Sequence, residues 1–227
     1  MRLIDLSTPL YDGVPNCPGH PPVRIENVAD HPGERWRLEM LTIPSHTGSH
    51  VDAPFHKLSH GPDLDRIPLE SWVGPAFIAD FRRLLSDGEG IRSEHLADCL
   101  PWETDSEHDP VKGCIILLAT GAGERKATEP DRYLHRSPFL CPEGAAYLVG
   151  RGVRGVGIDH YSVGGTQQHY NEETHEILLG AGIWVVEDLH FPPEAFEAPQ
   201  PCEFWSLPIR LQGGSGMFCR PVLVVDR

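Results

Sequence analysis

The 227-residue chain contains no stretch approaching the ~18 consecutive apolar residues of a membrane-spanning helix. Its opening, Met1-Arg2-Leu3-Ile4-Asp5-Leu6-Ser7, meets an acid before the apolar region of a secretory leader can develop. Six cysteines, at 17, 99, 114, 141, 202 and 219, include no CxxC pair and are too sparse to staple a small secreted domain. A reducing, cytoplasmic setting is therefore expected. Basic residues are also scarce: 19 Lys and Arg face 33 Asp and Glu, giving a formal charge of -14. That charge repels nucleic-acid phosphates and anionic lipid, so neither nucleic acid nor membrane is an expected partner. No repeat with a period of about 20–50 residues is present, which makes solenoids and propellers poor candidates. Glycine signatures of nucleotide and acyl chemistry are missing as well. Gly121-Ala122-Gly123 lacks the rest of a dinucleotide fingerprint, there is no Walker-type loop, and Gly213-Gly214-Ser215-Gly216 has the wrong spacing for a nucleophile elbow. These glycines read as turns.

What remains is a globular composition, 40% hydrophobic and 23% charged, punctuated by 22 prolines and 23 glycines. Short apolar runs ended by Gly, Asp or Pro predict strands over 37–43, 76–81, 114–119, 153–158, 183–186 and 221–225. Helices are fewer, over 93–100, about 142–149, and 172–179, the last two running into glycines. The order strand, helix, strand in the second half indicates an α/β fold, one compact domain over 1–227 with a mixed buried sheet and few helices. The Pro- and Gly-rich segment 9–33 is expected to be an irregular loop walling a substrate pocket, and the acidic stretch 101–110 an exposed loop.

The chemistry concentrates in His46-Thr47-Gly48-Ser49-His50-Val51-Asp52-Ala53-Pro54-Phe55-His56. Two imidazoles and a carboxylate within seven residues are ligand types suited to zinc, manganese or iron. Gly48 and Pro54 oppose a helix, and an extended strand would hold His46 and Asp52 roughly 20 Å apart. One ion can therefore be shared only if the chain folds back between His46 and His50, a turn that Gly48 permits through positive φ. His56 lies beyond the rigid Ala53-Pro54 step; it is a proton shuttle, a fourth ligand or a surface histidine. Three or fewer ligands leave the coordination incomplete. His175, on a predicted helix, and Glu187, at the end of a buried strand, are the best distant candidates.

This run resembles the HxGTHxDxPxH signature of the cyclase-like metal hydrolases, which include bacterial kynurenine formamidase and isatin hydrolase; Ser49 replaces the usual Thr and keeps a hydroxyl. Further landmarks are Ile4-Asp5-Leu6-Ser7-Thr8-Pro9-Leu10, Pro18-Gly19, Ile67-Pro68, Gly74-Pro75 and Gly157-Ile158-Asp159, so the resemblance covers nearly the whole chain. It implies a swivelling β/β/α fold, a homo-oligomer (dimer or tetramer), and one or two divalent ions, Zn2+ or Mn2+. By the same resemblance His46, His50, Asp52 and Glu187 would hold one ion, and Asp52, His175 and Glu187 a second. The reaction implied is hydrolysis of a small amide, with His56 passing the proton to the departing amine. Where kynurenine formamidases carry an aromatic before the Pro-Gly pair, this chain has Cys17, a candidate substrate contact. An aryl substrate would lose there a stacking surface of roughly 0.5–1.5 kcal/mol, for which Trp36 or Phe55 could compensate. Two other readings are a metal-containing protein that binds a small acid without turnover, and a thiol hydrolase using Cys17.

Overall fold

The computed structural model describes residues 1–103 and 109–225. Among these are thirteen strands: β1 (Arg2–Asp5), β2 (Arg24–Ala29), β3 (Leu38–Thr42), β4 (His50–Asp52), β5 (Val73–Asp80), β6 (Gly90–Ile91), β7 (Ile115–Ala119), β8 (Phe139–Leu140), β9 (Gly155–Ile158), β10 (Trp184–Glu187), β11 (Cys202–Trp205), β12 (Gly216–Phe218) and β13 (Val222–Val225). Five helices accompany them: α1 (Ser93–Cys99), α2 (Ala122–Arg125), α3 (Pro130–Arg136), α4 (Pro142–Gly150) and α5 (Gln168–Gly180).

Nine strands form one mixed sheet in the order β1-β13-β11-β5-β7-β9-β10-β4-β12. Its centre, β5-β7-β9-β10, is parallel, and the strands flanking it pair antiparallel. The central strand β7 reads Ile-Ile-Leu-Leu-Ala and is buried throughout, as expected for a parallel strand covered on both faces. Alternation divides its side chains between two cores. Ile116 and Leu118 join Leu96, Leu148 and Leu178 from the helices, while Ile115 and Leu117 pack with Trp72, Trp184, Val186 and Phe204.

All six expected strands and all three expected helices are present, with small shifts at their ends. The last helix begins four residues before its predicted start, at Gln168. The expectation of an irregular loop over 9–33 is corrected in part, because Arg24–Ala29 pairs with Leu38–Thr42 in a separate two-stranded ribbon. The ribbon is exposed and has no buried face to impose a strong alternation on its sequence, so its pairing was not evident. The centre of the loop expected at 101–110 lies outside the described residues, but its ends are anchored. The Trp102 indole donates to the Leu96 carbonyl (2.7 Å), and Asp109 is buried against Arg151.

Candidate metal centre

The strand β4 is only three residues long, yet it lies between β10 and β12, with Glu187 directly opposite His50 and Gly216 opposite Asp52. Alternation sends Val51 into the core and places His50 and Asp52 together on the other face. Just before it, Gly48 has φ +66°, the left-handed conformation that the fold-back requires; a Cβ there would also lie 2.6 Å from Leu10 Cδ2. The turn returns His46 to the strand it precedes, so His46 Nδ1 lies 2.6 Å from Asp52 Oδ1. Sequence spacing that would separate these groups in an extended chain is thus cancelled by one glycine.

Two backbone carbonyls orient the next two imidazoles. His50 Nδ1 donates to Gly48 O (2.7 Å), and His175 Nδ1, one turn along α5, donates to Asn171 O (2.8 Å). Each ring then turns Nε2 toward the same pair of carboxylates. His50 Nε2 lies 3.4 Å from both Asp52 Oδ1 and Glu187 Oε2, and His175 Nε2 lies 3.2 Å from Glu187 Oε1 and 3.6 Å from Asp52 Oδ2. An imidazole whose outer nitrogen is anchored on a carbonyl is pre-set in the tautomer that presents a lone pair to a metal.

His50, Asp52, His175 and Glu187 are all buried. His50 Nε2 and Asp52 Oδ2 have no hydrogen-bond partner, a costly condition for buried polar atoms that a cation placed between them would relieve. Ligand atoms of His50, Asp52 and Glu187 lie within 4.8 Å of one another, and so do those of His46, Asp52 and His56. Imidazole nitrogen and carboxylate oxygen form a donor set suited to a borderline divalent ion, so the residues present fit a metal on both geometric and chemical grounds. All five expected ligands and His56 therefore converge on one place. His56 sits at the outer edge, its ring centroid 3.9 Å from that of His46 at a tilt of 30° and 5.7 Å, edge-on, from that of His175.

The electrostatics follow from two buried carboxylates whose neighbours are imidazoles. Burial alone would lower the pKa of His50, but Asp52 and Glu187 outweigh it and raise the value to about 9; the same balance raises His175 to about 10. Burial would raise Asp52, yet the surrounding His56, His46 and His175 hold it well below the usual carboxylate range. His56 behaves oppositely: desolvation of its inward side, reinforced by the neighbouring imidazoles and opposed by Asp52, lowers it to about 4. His56 is thus neutral at pH 7 and able to accept a proton.

Cys17 is half-buried, and its thiol is pushed up by burial and then by the charge of Glu187, against hydrogen bonding from the backbone of Gly19 and His20. A nucleophilic thiol needs the opposite shift, so the thiol-hydrolase reading gains no support. Several participants had not been singled out from the sequence. Ser215 Oγ lies 2.8 Å from His46 Nε2 and steadies that ring, while a Cβ on Gly216 would come within 2.5 Å of His46 Cε1. This half of the Gly-Gly-Ser-Gly turn is shaped around an imidazole. Its sequence carries no sign of that role. The Val163 amide donates to Glu187 Oε1 (2.6 Å). His20 has a buried Nδ1 without a partner, and its pKa is lowered by burial and by His46 and His50; its place beside Pro18-Gly19 was the available clue.

The same chain resembles known proteins along its length. The kynurenine formamidase of Salinibacter ruber is 28% identical over 229 residues, covering 98% of this chain and 97% of that one. The kynurenine formamidase of Geobacillus thermodenitrificans is 29% identical, with 97% and 96% covered. Isatin hydrolase A from Labrenzia aggregata, solved bound to benzyl benzoate, superposes with a TM-score of 0.82 at 26% identity, covering 99% of this chain and 94% of that one. The Cyclase family model matches residues 4–164, which include the whole His46–His56 run but neither His175 nor Glu187. Because that match spans well over half the sequence and the fold agrees with it, the chain belongs to the Cyclase family.

Proposed function

We propose that the protein is a metal-dependent hydrolase of a small amide, of the arylformamidase type, with N-formylkynurenine or a related open-chain or cyclic amide as substrate. The observation that carries this reading is the convergence of His50 and His175 Nε2 on Asp52 and Glu187, with buried polar atoms left unpaired between them. The relatives that are kynurenine formamidases and isatin hydrolase by name support the amide class. In this proposal His46, His50, Asp52 and Glu187 hold one divalent ion, and Asp52, His175 and Glu187 a second; Zn2+ is the first choice and Mn2+ the alternative. When bound, the ion supplies Lewis acidity, polarising the substrate carbonyl and acidifying water.

The protein's own groups supply the remainder. The carbonyl-anchored imidazoles keep the donor atoms in place before substrate arrives, which lowers the cost of ordering them during reaction. His56, neutral and at the outer edge, takes the proton from the attacking water and returns it to the amine nitrogen as the C–N bond breaks. Phe55, next to His56 in sequence and 41% exposed, is the residue proposed to supply an aryl-facing surface in place of an aromatic at Cys17. The whole chain acts as one catalytic domain in the cytoplasm; no helix among the described residues is long and apolar enough to cross a membrane.

The decisive experiment measures metal content and hydrolysis of N-formylkynurenine before chelation, after it, and after zinc or manganese is restored. Metal-dependent turnover is expected. Bound metal without turnover would remove this substrate and leave other amides and lactams, whereas failure to bind either metal would overturn the proposal.

Proton competition should accompany binding. In the metal-free protein His50 and His175 carry protons at pH 7, since their values lie near 9 and 10. A metal must displace them, so zinc binding at pH 7 is expected to release up to two protons, and affinity to rise as pH increases toward 9. Calorimetry in two buffers of different ionisation enthalpy measures this number; zero release would contradict the assigned ligands. The same raised values stabilise the metal-free fold. That contribution is complete below the unfolded histidine pKa of about 6.5 and lost as pH rises through about 9 to 10, so the chelated protein should melt earlier at pH 10 than at pH 7.

We also propose that the β2–β3 ribbon mediates self-association into a dimer or tetramer. Val28, Trp36, Leu38, Met40 and Leu41 are all exposed on or beside it, and an isolated two-stranded ribbon is marginal in water. Its charges are nearly balanced in an otherwise acidic chain, which permits a second copy to approach there. Light scattering should give a multiple of the monomer mass, and Leu38→Lys with Leu41→Lys should give the monomer. A monomeric wild type would end this proposal.

A further inference from the structure

Behind the metal centre lies a second group of buried charges that the chemistry above does not use. Asp188 follows Glu187 directly and is the one non-glycine among the described residues with positive φ, at 60°. The left-handed conformation is unfavourable for most residues, although Asp and Asn tolerate it best, and it persists only where surrounding contacts hold it. Those contacts are extensive. The Asp188 amide donates to His160 O (2.8 Å) and its carbonyl accepts from Ser49 Oγ (2.8 Å). One carboxylate oxygen accepts from Tyr133 OH (2.9 Å), and the other is paired with Lys126 Nζ. Asp188, Lys126, Tyr133, Ser49 and His160 are all buried.

These bonds close a ring. Lys126 Nζ also reaches Thr8 Oγ1 (3.5 Å), and the Thr8 amide donates to the same Ser49 Oγ (2.9 Å) that binds Asp188. Ser49 is the residue before His50, and Asp188 is the residue after Glu187. The ring therefore ties together the two chain segments that carry a strand-paired imidazole and carboxylate. It also touches the far support of Glu187, because His160, which accepts from the Asp188 amide, lies three residues before the Val163 amide that holds Glu187 Oε1.

Electrostatics give the ring a second task. Without Lys126, Asp188 would add a third buried negative charge next to Asp52 and Glu187. Paired with Lys126 it is neutralised, so the negative charge facing the centre remains that of Asp52 and Glu187. A buried ion pair is poor evidence for added stability, since the desolvation of both partners offsets their attraction. Its position, with Asp188 next to Glu187 and bonded through Ser49 to the residue before His50, points to placement of those two residues.

We propose that Lys126 and Asp188, steadied by Tyr133, form a clamp of positioning residues that sets the approach of His50 and Glu187 and thereby the metal affinity of the centre. This inference rests on the metal-hydrolase reading. Outer partners of metal ligands typically contribute about 10- to 100-fold in affinity. Zinc affinity is measured by competition with a chromophoric chelator for the wild type, Lys126→Met, Asp188→Asn, the double variant and Tyr133→Phe, together with the melting temperature of each metal-free form. Asn retains tolerance of positive φ, so Asp188→Asn removes the charge without forbidding the backbone conformation. Tyr133→Phe removes one hydrogen bond and leaves both charges, so it remains informative if a charge variant fails to fold.

The expected result is a loss of zinc affinity of about 10-fold or more in each charge variant, less than the sum of the two in the double variant, and a smaller loss in Tyr133→Phe. Variants that melt earlier without metal but bind zinc as tightly as the wild type would reduce the cluster to structural support and overturn the clamp. A wild type that binds no metal would instead overturn the reading on which the clamp rests, so the two failures are distinguishable.

Discussion

Replacement of His56 by alanine is expected to lower kcat by about 100- to 10,000-fold while leaving metal content unchanged and KM nearly so, the signature of a lost proton shuttle. The expectation combines position and charge state. His56 packs in a tilted arrangement against His46 at the outer edge of the cluster, and its pKa, lowered to about 4, keeps it neutral at pH 7. Its base form is therefore complete across the neutral range and is lost only as pH falls toward 4. The same substitution separates the other readings. A protein that merely binds a small acid has no use for a shuttle, so its affinity would survive the change with no turnover to lose. Because His56 also belongs to a group of potential ligands with His46 and Asp52, loss of metal from the variant would make it a ligand instead. Full retained activity would remove it from the chemistry altogether.

Part of this arrangement was legible in the sequence because it is local. The ligand-rich run, the need for a fold-back, and Gly48 as the turn all follow from residue types and reach, and Gly48 does adopt positive φ. Likewise β7 and β10 announce themselves as continuous apolar runs, since both faces of a parallel strand are buried. His175 and Glu187 were weaker signals. One helical histidine and one acid after a strand are ordinary features, and only the resemblance joined them to the distant motif. Ser215 and Gly216 were illegible as partners because their roles depend on which strands become neighbours. Placing β12 beside β4 is a tertiary choice that no local pattern encodes. The strand at 37–43 was expected, but its partner β2 was not: that strand is largely exposed and lies in a Pro- and Gly-rich segment, so burial left little imprint on it.

The dependence of the centre on its carboxylates is sharpest at Asp52, where substitution by asparagine is expected to cost more metal affinity than the roughly 10- to 100-fold of an outer partner and to abolish turnover. Asp52 is shared by both groups of potential ligands, and its oxygens lie 2.6, 3.4 and 3.6 Å from nitrogens of His46, His50 and His175. The substitution preserves size, so the β4 packing should survive and the metal-free protein should remain folded. What changes is the chemistry facing the imidazoles: one negative charge disappears, and an amide N–H donor replaces one acceptor oxygen. That donor would compete with a cation for His50 Nε2 once the imidazole gives up its proton. The carboxylate that raises His50 and His175 is also lost, so fewer protons should be released on adding zinc, and the fall in melting temperature between pH 7 and pH 10 should diminish. Metal analysis after dialysis, the proton count and the turnover assay test this together. Retention of stoichiometric metal and activity in Asp52→Asn would move the centre elsewhere, whereas loss of both with an intact fold would place this carboxylate at its heart.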